Sequence, residues 1–139
     1  AYPDRPRGLI HSDLFRDNTL FVGNQLTGIL DFYEMNHDEL LFDVAISIND
    51  FCTEYPSLEL NEDKAIAFLT AYDAIRRLTD DERACLEIYL AMAAGRFWLM
   101  RLRVAAKNSE LGLSSADILH KNPNEMRNML IDRLKFVTA

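Results

Sequence analysis

The eight residues His11-Ser-Asp-Leu-Phe-Arg-Asp-Asn18 constrain this chain more than any other stretch. They place a histidine, an aspartate and an asparagine at the spacing H-x-D-x-x-x-x-N, and the apolar run Leu26–Leu30 then ends in Asp31 and Phe32. Between Asn18 and Asp31 lie two β-prone runs, from Thr19 to Val22 and from Leu26 onward, around the turn residues Gly23-Asn24-Gln25. That pattern predicts a β-hairpin. Antiparallel neighbours stand about 5 Å apart, so Asn18 and Asp31 are expected at the same end of the ribbon. An amide oxygen and a carboxylate placed together form a partial shell for magnesium, which keeps waters and takes further ligands from phosphates. Asp13, in the loop leading in, offers a carboxylate to orient a hydroxyl and receive its proton late in phosphoryl transfer. A carboxylate with a pKa near 4 is a weak base for an alcohol, so orientation is its main task. The spacing therefore predicts Asp13 as the catalytic residue and Asn18 and Asp31 as metal ligands.

Around this motif the chain reads as α+β, mostly α. Gly8–Ile10 leads into the loop as a short extended piece. From Asp43 the pattern turns helical: Asp43 is the expected N-cap of a helix from Val44 to about Tyr55, stopped by Pro56. A second helix is expected over Glu62–Arg77, capped by Asn61, with acidic residues opening it and two arginines closing it. Thr79-Asp-Asp-Glu82 is a capping box for a third helix reaching about Lys107. That helix is apolar nearly all round from Cys85 to Leu102, which predicts that it is the central buried one. Residues 111–120 read as a loop or weak turn. Asn122, Pro123 and Glu125 then supply N-cap, N1 and N3 of a last helix to about Val137.

The net charge of −7 argues against a nucleic-acid-binding surface, which needs clustered Lys and Arg. Glu87, Arg96, Arg101 and Arg103 interrupt the most apolar stretch, Ala84–Ala106, so it is not expected to span a membrane. A cytoplasmic protein is the plain expectation. Cys52 and Cys85 fall in apolar patterns and are expected to be reduced and buried.

Four segments carry a family resemblance: Arg7–Asn18, Leu26–Tyr33, Phe42–Ile46 and Arg96-Phe-Trp-Leu99. Together they resemble the aminoglycoside phosphotransferase and choline kinase branch of the protein-kinase-like fold, and within it the bacterial homoserine kinases. The branch commonly has glycine where this chain has Ser12, and serine resists a positive φ. No glycine-rich phosphate loop and no strand lysine paired with a helix glutamate is present in residues 1–139. The resemblance therefore implies a single domain, 1–139, forming the C-terminal lobe of a two-lobe kinase, with a catalytic loop and short hairpin followed by a helical bundle. The N-terminal nucleotide-binding lobe would be its partner. Alone, the piece is expected to be inactive and prone to self-association through uncovered apolar surface.

In that family reading ATP is the co-substrate, Mg2+ the cofactor, and homoserine the acceptor in the route to threonine. A choline, ethanolamine or aminoglycoside acceptor is the alternative within the fold. A choline site wants an aromatic cage, and Trp98 is the one tryptophan here. The alternative of another class is a pseudokinase-like binding module, which would have no need of Asp13, Asn18 and Asp31 together. His11 and Asp43 are expected to support the loop. Arg16 is either an anion clamp for the acceptor or phosphate, or a salt bridge to a nearby acid. Tyr33 and Glu34 would face the acceptor. Arg96, inside an apolar helix beside Trp98, must find a partner: a buried ion pair with Asp43, Asp50 or Glu54, or a substrate carboxylate.

Overall fold

The computed structural model describes residues 5–113 and 121–139; the weak turn expected around 111–120 lies largely outside them. Two small antiparallel ribbons precede four helices. Strand β1 (Arg7–Ile10) pairs with β4 (Asn36–Glu39), Arg7 opposite Glu39 and Ile10 opposite Asn36. Strands β2 (Thr19–Val22) and β3 (Gln25–Ile29) form the expected hairpin, with a bulge between Leu20 and Phe21. Gly23 sits at φ 58 in its turn, the left-handed conformation that glycine adopts without strain. The helices are α1 (Leu40–Phe51), α2 (Glu62–Ile75), α3 (Asp80–Glu110) and α4 (Pro123–Val137).

Three helix starts follow the caps read from sequence. The Asn61 side chain accepts from Lys64 N–H, Thr79 and Glu82 close a reciprocal capping box, and Asn122 accepts from Asn124 N–H with Pro123 next to it. The first helix differs. It begins at Leu40, Glu39 occupies the N-cap, and Asp43 lies within the first turn. The reason is β4, a strand of four polar residues that no hydrophobic alternation announces. It hands the chain directly into α1, where Leu40 N–H bonds to the Pro6 carbonyl and the sheet replaces a side-chain cap. The first two helices also stop earlier than expected, at Phe51 and Ile75, and α3 continues to Glu110.

The core lies where α1, α3 and α4 meet. Leu41, Val44, Ala45 and Ile48 of α1 are buried with Leu90, Ala93, Ala94 and Phe97 of α3 and Met126 and Met129 of α4. Phe15 reaches in from the loop and meets Phe97 edge-on, ring centroids 4.7 Å apart. Within this core Arg133 is fully buried. Its Nε donates to Asn49 Oδ1 at 2.9 Å, Nη1 to the Leu58 carbonyl at 3.2 Å and Nη2 to Thr53 Oγ1 at 2.6 Å. It also pairs with Asp132. The α3 helix is not buried all round: Ile88, Met92 and Leu99 line an exposed stripe, because α1 and α4 cover only the other faces. Cys52 and Cys85 are free thiols, Cys52 buried and Cys85 half-buried. Among the described residues no helix is long and apolar enough to cross a membrane.

Candidate active site

The loop between β1 and β2 is held from beneath by Asp43. Its two carboxylate oxygens accept from the backbone N–H groups of His11 and Ser12, each at 2.8 Å. A first-turn aspartate thus caps the loop instead of its own helix. Ser12 takes φ 68, the region usually left to glycine. The Asp43 bond fixes its N–H, and Asn36 Nδ2 donates to its Oγ at 2.7 Å, so β4 also holds this strained turn.

His11 is buried and lies 4.8 Å from the Phe32 ring. Its Nδ1 accepts from Asp13 N–H at 3.2 Å, which makes Nε2 the donor to the Leu30 carbonyl at 2.8 Å. Both ring nitrogens are engaged in shaping backbone. Asn18 follows a single 3-10 turn, Arg16–Asn18. Its Nδ2 donates to the Asp13 carbonyl at 2.8 Å and to Asp13 Oδ2 at 3.3 Å. With the amide nitrogen used this way, Oδ1 is the atom left to face a cation. The Asn18 carbonyl accepts from Leu30 N–H at 2.9 Å, which ties the hairpin's open end and brings Asp31 in beside the loop. Asp31 itself sits at φ 60, a conformation aspartate tolerates better than most residues.

Asp13 is half-buried, and its carboxyl pKa is raised. Burial is the main cause; Lys121 and the Asn18 hydrogen bond pull the other way, while Asp17 and Asp31 push it further up. Asp13 borders a cavity of about 280 Å³ whose other walls are Phe15, Phe97, Met100, Arg101, Val104 and Lys121. Among the described residues no three His, Cys, Asp or Glu side chains gather as a metal site. One amide oxygen and one carboxylate are donors of the kind a hard divalent cation accepts, phosphate oxygens and waters completing its shell.

The other residues singled out from sequence are not among those that line this cavity. Arg16 Nε pairs with Asp50 at 3.1 Å, its N–H bonds the same carboxylate, and its guanidinium lies 5.2 Å from the Tyr55 ring. Tyr33 projects into solvent at 95% exposure, and the Glu34 carbonyl accepts from Asn36 Nδ2. Trp98 is half-buried against the core. Arg96 does not form the ion pair expected with Asp43, Asp50 or Glu54. Those acids are engaged by the loop, by Arg16, and by Lys64 and Asn61. Its guanidinium instead lies over Phe42 and Phe97, at 5.3 and 5.7 Å, beside a second cavity lined by Asn36, Asp38, Glu39 and Tyr89.

Sequence reasoning passed over Arg101 and Lys121. Arg101 was visible in principle: Phe97, Met100, Arg101 and Val104 follow i, i+3, i+4, i+7 and therefore share one helix face. Lys121 offered no such signal, since only the tertiary fold carries it to Asp17, 104 positions away, with Nζ to Oδ2 at 2.8 Å.

Comparison with known proteins identifies the family. The model of the phosphotransferase enzyme family matches residues 1–78. The homoserine kinase of Methylobacillus flagellatus is 50% identical over 97 residues, 70% of this chain and 30% of that protein. The homoserine kinase of Polaromonas naphthalenivorans is 46% identical over 102 residues, 73% of this chain and 32% of that protein. That of Afipia carboxidovorans is 48% identical over 97 residues, 70% and 29% of the two chains. The chain thus spans about a third of the length of the curated relatives it matches. With the family model covering more than half of its residues, and the loop that carries Asp13 and Asn18 inside that match, the chain belongs to the phosphotransferase enzyme family.

Proposed function

We propose that this chain is the acceptor-binding, C-terminal lobe of an ATP-dependent phosphotransferase that phosphorylates the hydroxyl of L-homoserine, a step towards threonine. The observation that carries the reading is Asp13, a half-buried carboxylate held by Asn18 on the wall of a cavity sized for a small alcohol. The names of the relatives supply the acceptor. The nucleotide-binding lobe then belongs to the rest of a longer protein.

In this reading Asp13 orients the acceptor hydroxyl and takes its proton as the bond to phosphorus forms. Burial makes that carboxylate a better proton acceptor than an exposed one, because desolvation disfavours its charged form. Asn18 Oδ1 and the Asp31 carboxylate would hold Mg2+, which when bound neutralises the phosphate charge. Asn18 also fixes Asp13 through Nδ2, so one side chain sets the spacing between base and metal. His11 and Asp43 hold the loop backbone and touch no reacting group. Among the described residues only Phe15 and Phe97 bring aromatic surface to the cavity, too little for the cage that a quaternary ammonium wants.

An acceptor screen with Mg-ATP on the full-length protein carrying this chain tests the proposal. Homoserine should exceed choline and kanamycin in kcat/KM by about a hundredfold or more, roughly 2.7 kcal/mol of transition-state preference. Threonine, whose hydroxyl is one carbon nearer the amino-acid head, should react poorly. A screen won by choline or kanamycin would discard the homoserine assignment. No transfer to any alcohol would discard the phosphotransferase reading itself.

A further inference from the structure

The cavity beside Asp13 carries an unusual charge pattern for so acidic a chain. Net charge is −7, yet among the described residues the charged groups on its wall are one anion, Asp13, and two cations, Arg101 and Lys121. The remaining lining is apolar: Phe15, Phe97, Met100 and Val104. We infer that Arg101 and Lys121 form the carboxylate-binding end of the acceptor site, so that the cavity selects an amino acid bearing a hydroxyl over a simple amino alcohol.

Both cations are held in place before any acceptor arrives. Arg101 is 13% exposed; its Nη1 donates to the Asn122 carbonyl at 2.9 Å and to Glu125 Oε2 at 3.2 Å. That leaves the geometry of its planar fork fixed by the start of α4 while Nε and Nη2 carry further N–H groups. Lys121 Nζ reaches Asp17 at 2.8 Å and lies 5.2 Å from the Phe15 ring. Its partner, Asp17, and Glu125 beside Arg101 are both about half exposed, so among the described residues neither cation is paired with a buried acid. The two positions come from different parts of the chain, α3 and the entry to α4, and line one cavity with Asp13 and Phe15 of the loop. An acceptor whose hydroxyl rests on Asp13 would present a carboxylate three carbons away to this pair. The nucleotide phosphates are the competing anion. Neither Asn18 nor Asp31, the groups assigned to the metal, lines this cavity, so it faces the acceptor side.

This inference rests on the phosphotransfer reading, and the experiment separates the two. In the full-length protein, kcat/KM is measured for homoserine and for 3-aminopropan-1-ol, which keeps the hydroxyl and ammonium but lacks the carboxylate. KM for Mg-ATP is measured alongside. The wild type should prefer homoserine by about a hundredfold. Lys121→Gln should cut that preference about tenfold or more, and Arg101→Gln by a similar or larger factor, with Arg101→Lys in between. KM for ATP should stay within twofold. Lys121 is exposed, so its variant reports even if Arg101→Gln folds poorly. Transfer to both acceptors with an unchanged preference in the Lys121 and Arg101 variants would overturn the carboxylate clamp and leave phosphotransfer standing. So would an effect confined to KM for ATP. Absence of transfer to either alcohol in the wild type would overturn both.

Discussion

Arg133 and Asp13 are both charged groups fixed by hydrogen bonds, one in the helical body and one in the loop, and they are built to opposite ends. Every edge of the Arg133 guanidinium is occupied, by Asn49, Leu58, Thr53 and Asp132, and the side chain has no exposed surface. Among the described residues the Asp13 carboxylate receives a single long side-chain hydrogen bond, from Asn18, and it borders a cavity. A charge that holds a fold together saturates its partners; a charge that is to act on a ligand keeps some of its lone pairs open. The difference separates stability from chemistry along the chain, and substitutions can probe the separation.

The largest effect on stability is expected at Arg133. Arg133→Leu removes one partner of a buried pair and strands Asp132, Asn49 and Thr53, at a cost of about 3–5 kcal/mol. Urea unfolding measures it; a loss below about 1 kcal/mol would show that the network is dispensable. Asp43 joins the two regions, being rooted in α1 and bonded to the loop. Asp43→Ala frees the N–H groups of His11 and Ser12 and should cost about 2 kcal/mol. In the full-length protein kcat should also fall about tenfold, because Asp13 loses its support; a stability loss without a rate loss would separate the loop from its base. Thr79→Ala deletes the capping box of α3, far from the loop, and should cost about 1 kcal/mol while kcat stays unchanged.

The smallest effect is on pH dependence. In the proposed reaction Asp13 acts deprotonated, and its pKa is raised chiefly by burial, so the acid limb of kcat should lie above that set by an exposed aspartate. As pH falls, activity is then lost earlier than it would be for an exposed aspartate. Lys121 lowers that pKa, so Lys121→Gln should move the limb still higher; a downward move would contradict the electrostatics described here.

Much of this arrangement was legible in the residues. The hairpin announced itself through two β-prone runs around Gly23-Asn24-Gln25, and Asn61, Thr79 and Asn122 marked helix starts because capping is local chemistry. What local chemistry does not encode was missed. Strand β4 is polar and exists through backbone pairing with β1, so the first helix was expected to start after an Asp43 cap when it starts at Leu40. Arg96 was expected to need an acid, but aromatic faces of Phe42 and Phe97 meet it instead. The even apolarity of α3 hid which faces its neighbours cover, and with it the stripe from Phe97 to Val104 that lines the cavity. Lys121 depended on a contact across 104 positions.

The central claim, that Asp13 receives the proton of the acceptor hydroxyl, is tested most directly by Asp13→Asn in the full-length protein. Single-turnover transfer from ATP to homoserine would be followed with Mg-ATP affinity measured in parallel. Transfer should fall about a thousandfold while nucleotide affinity stays within twofold, because the amide keeps the shape and loses the base. A variant that retains a tenth or more of the wild-type rate would contradict the account.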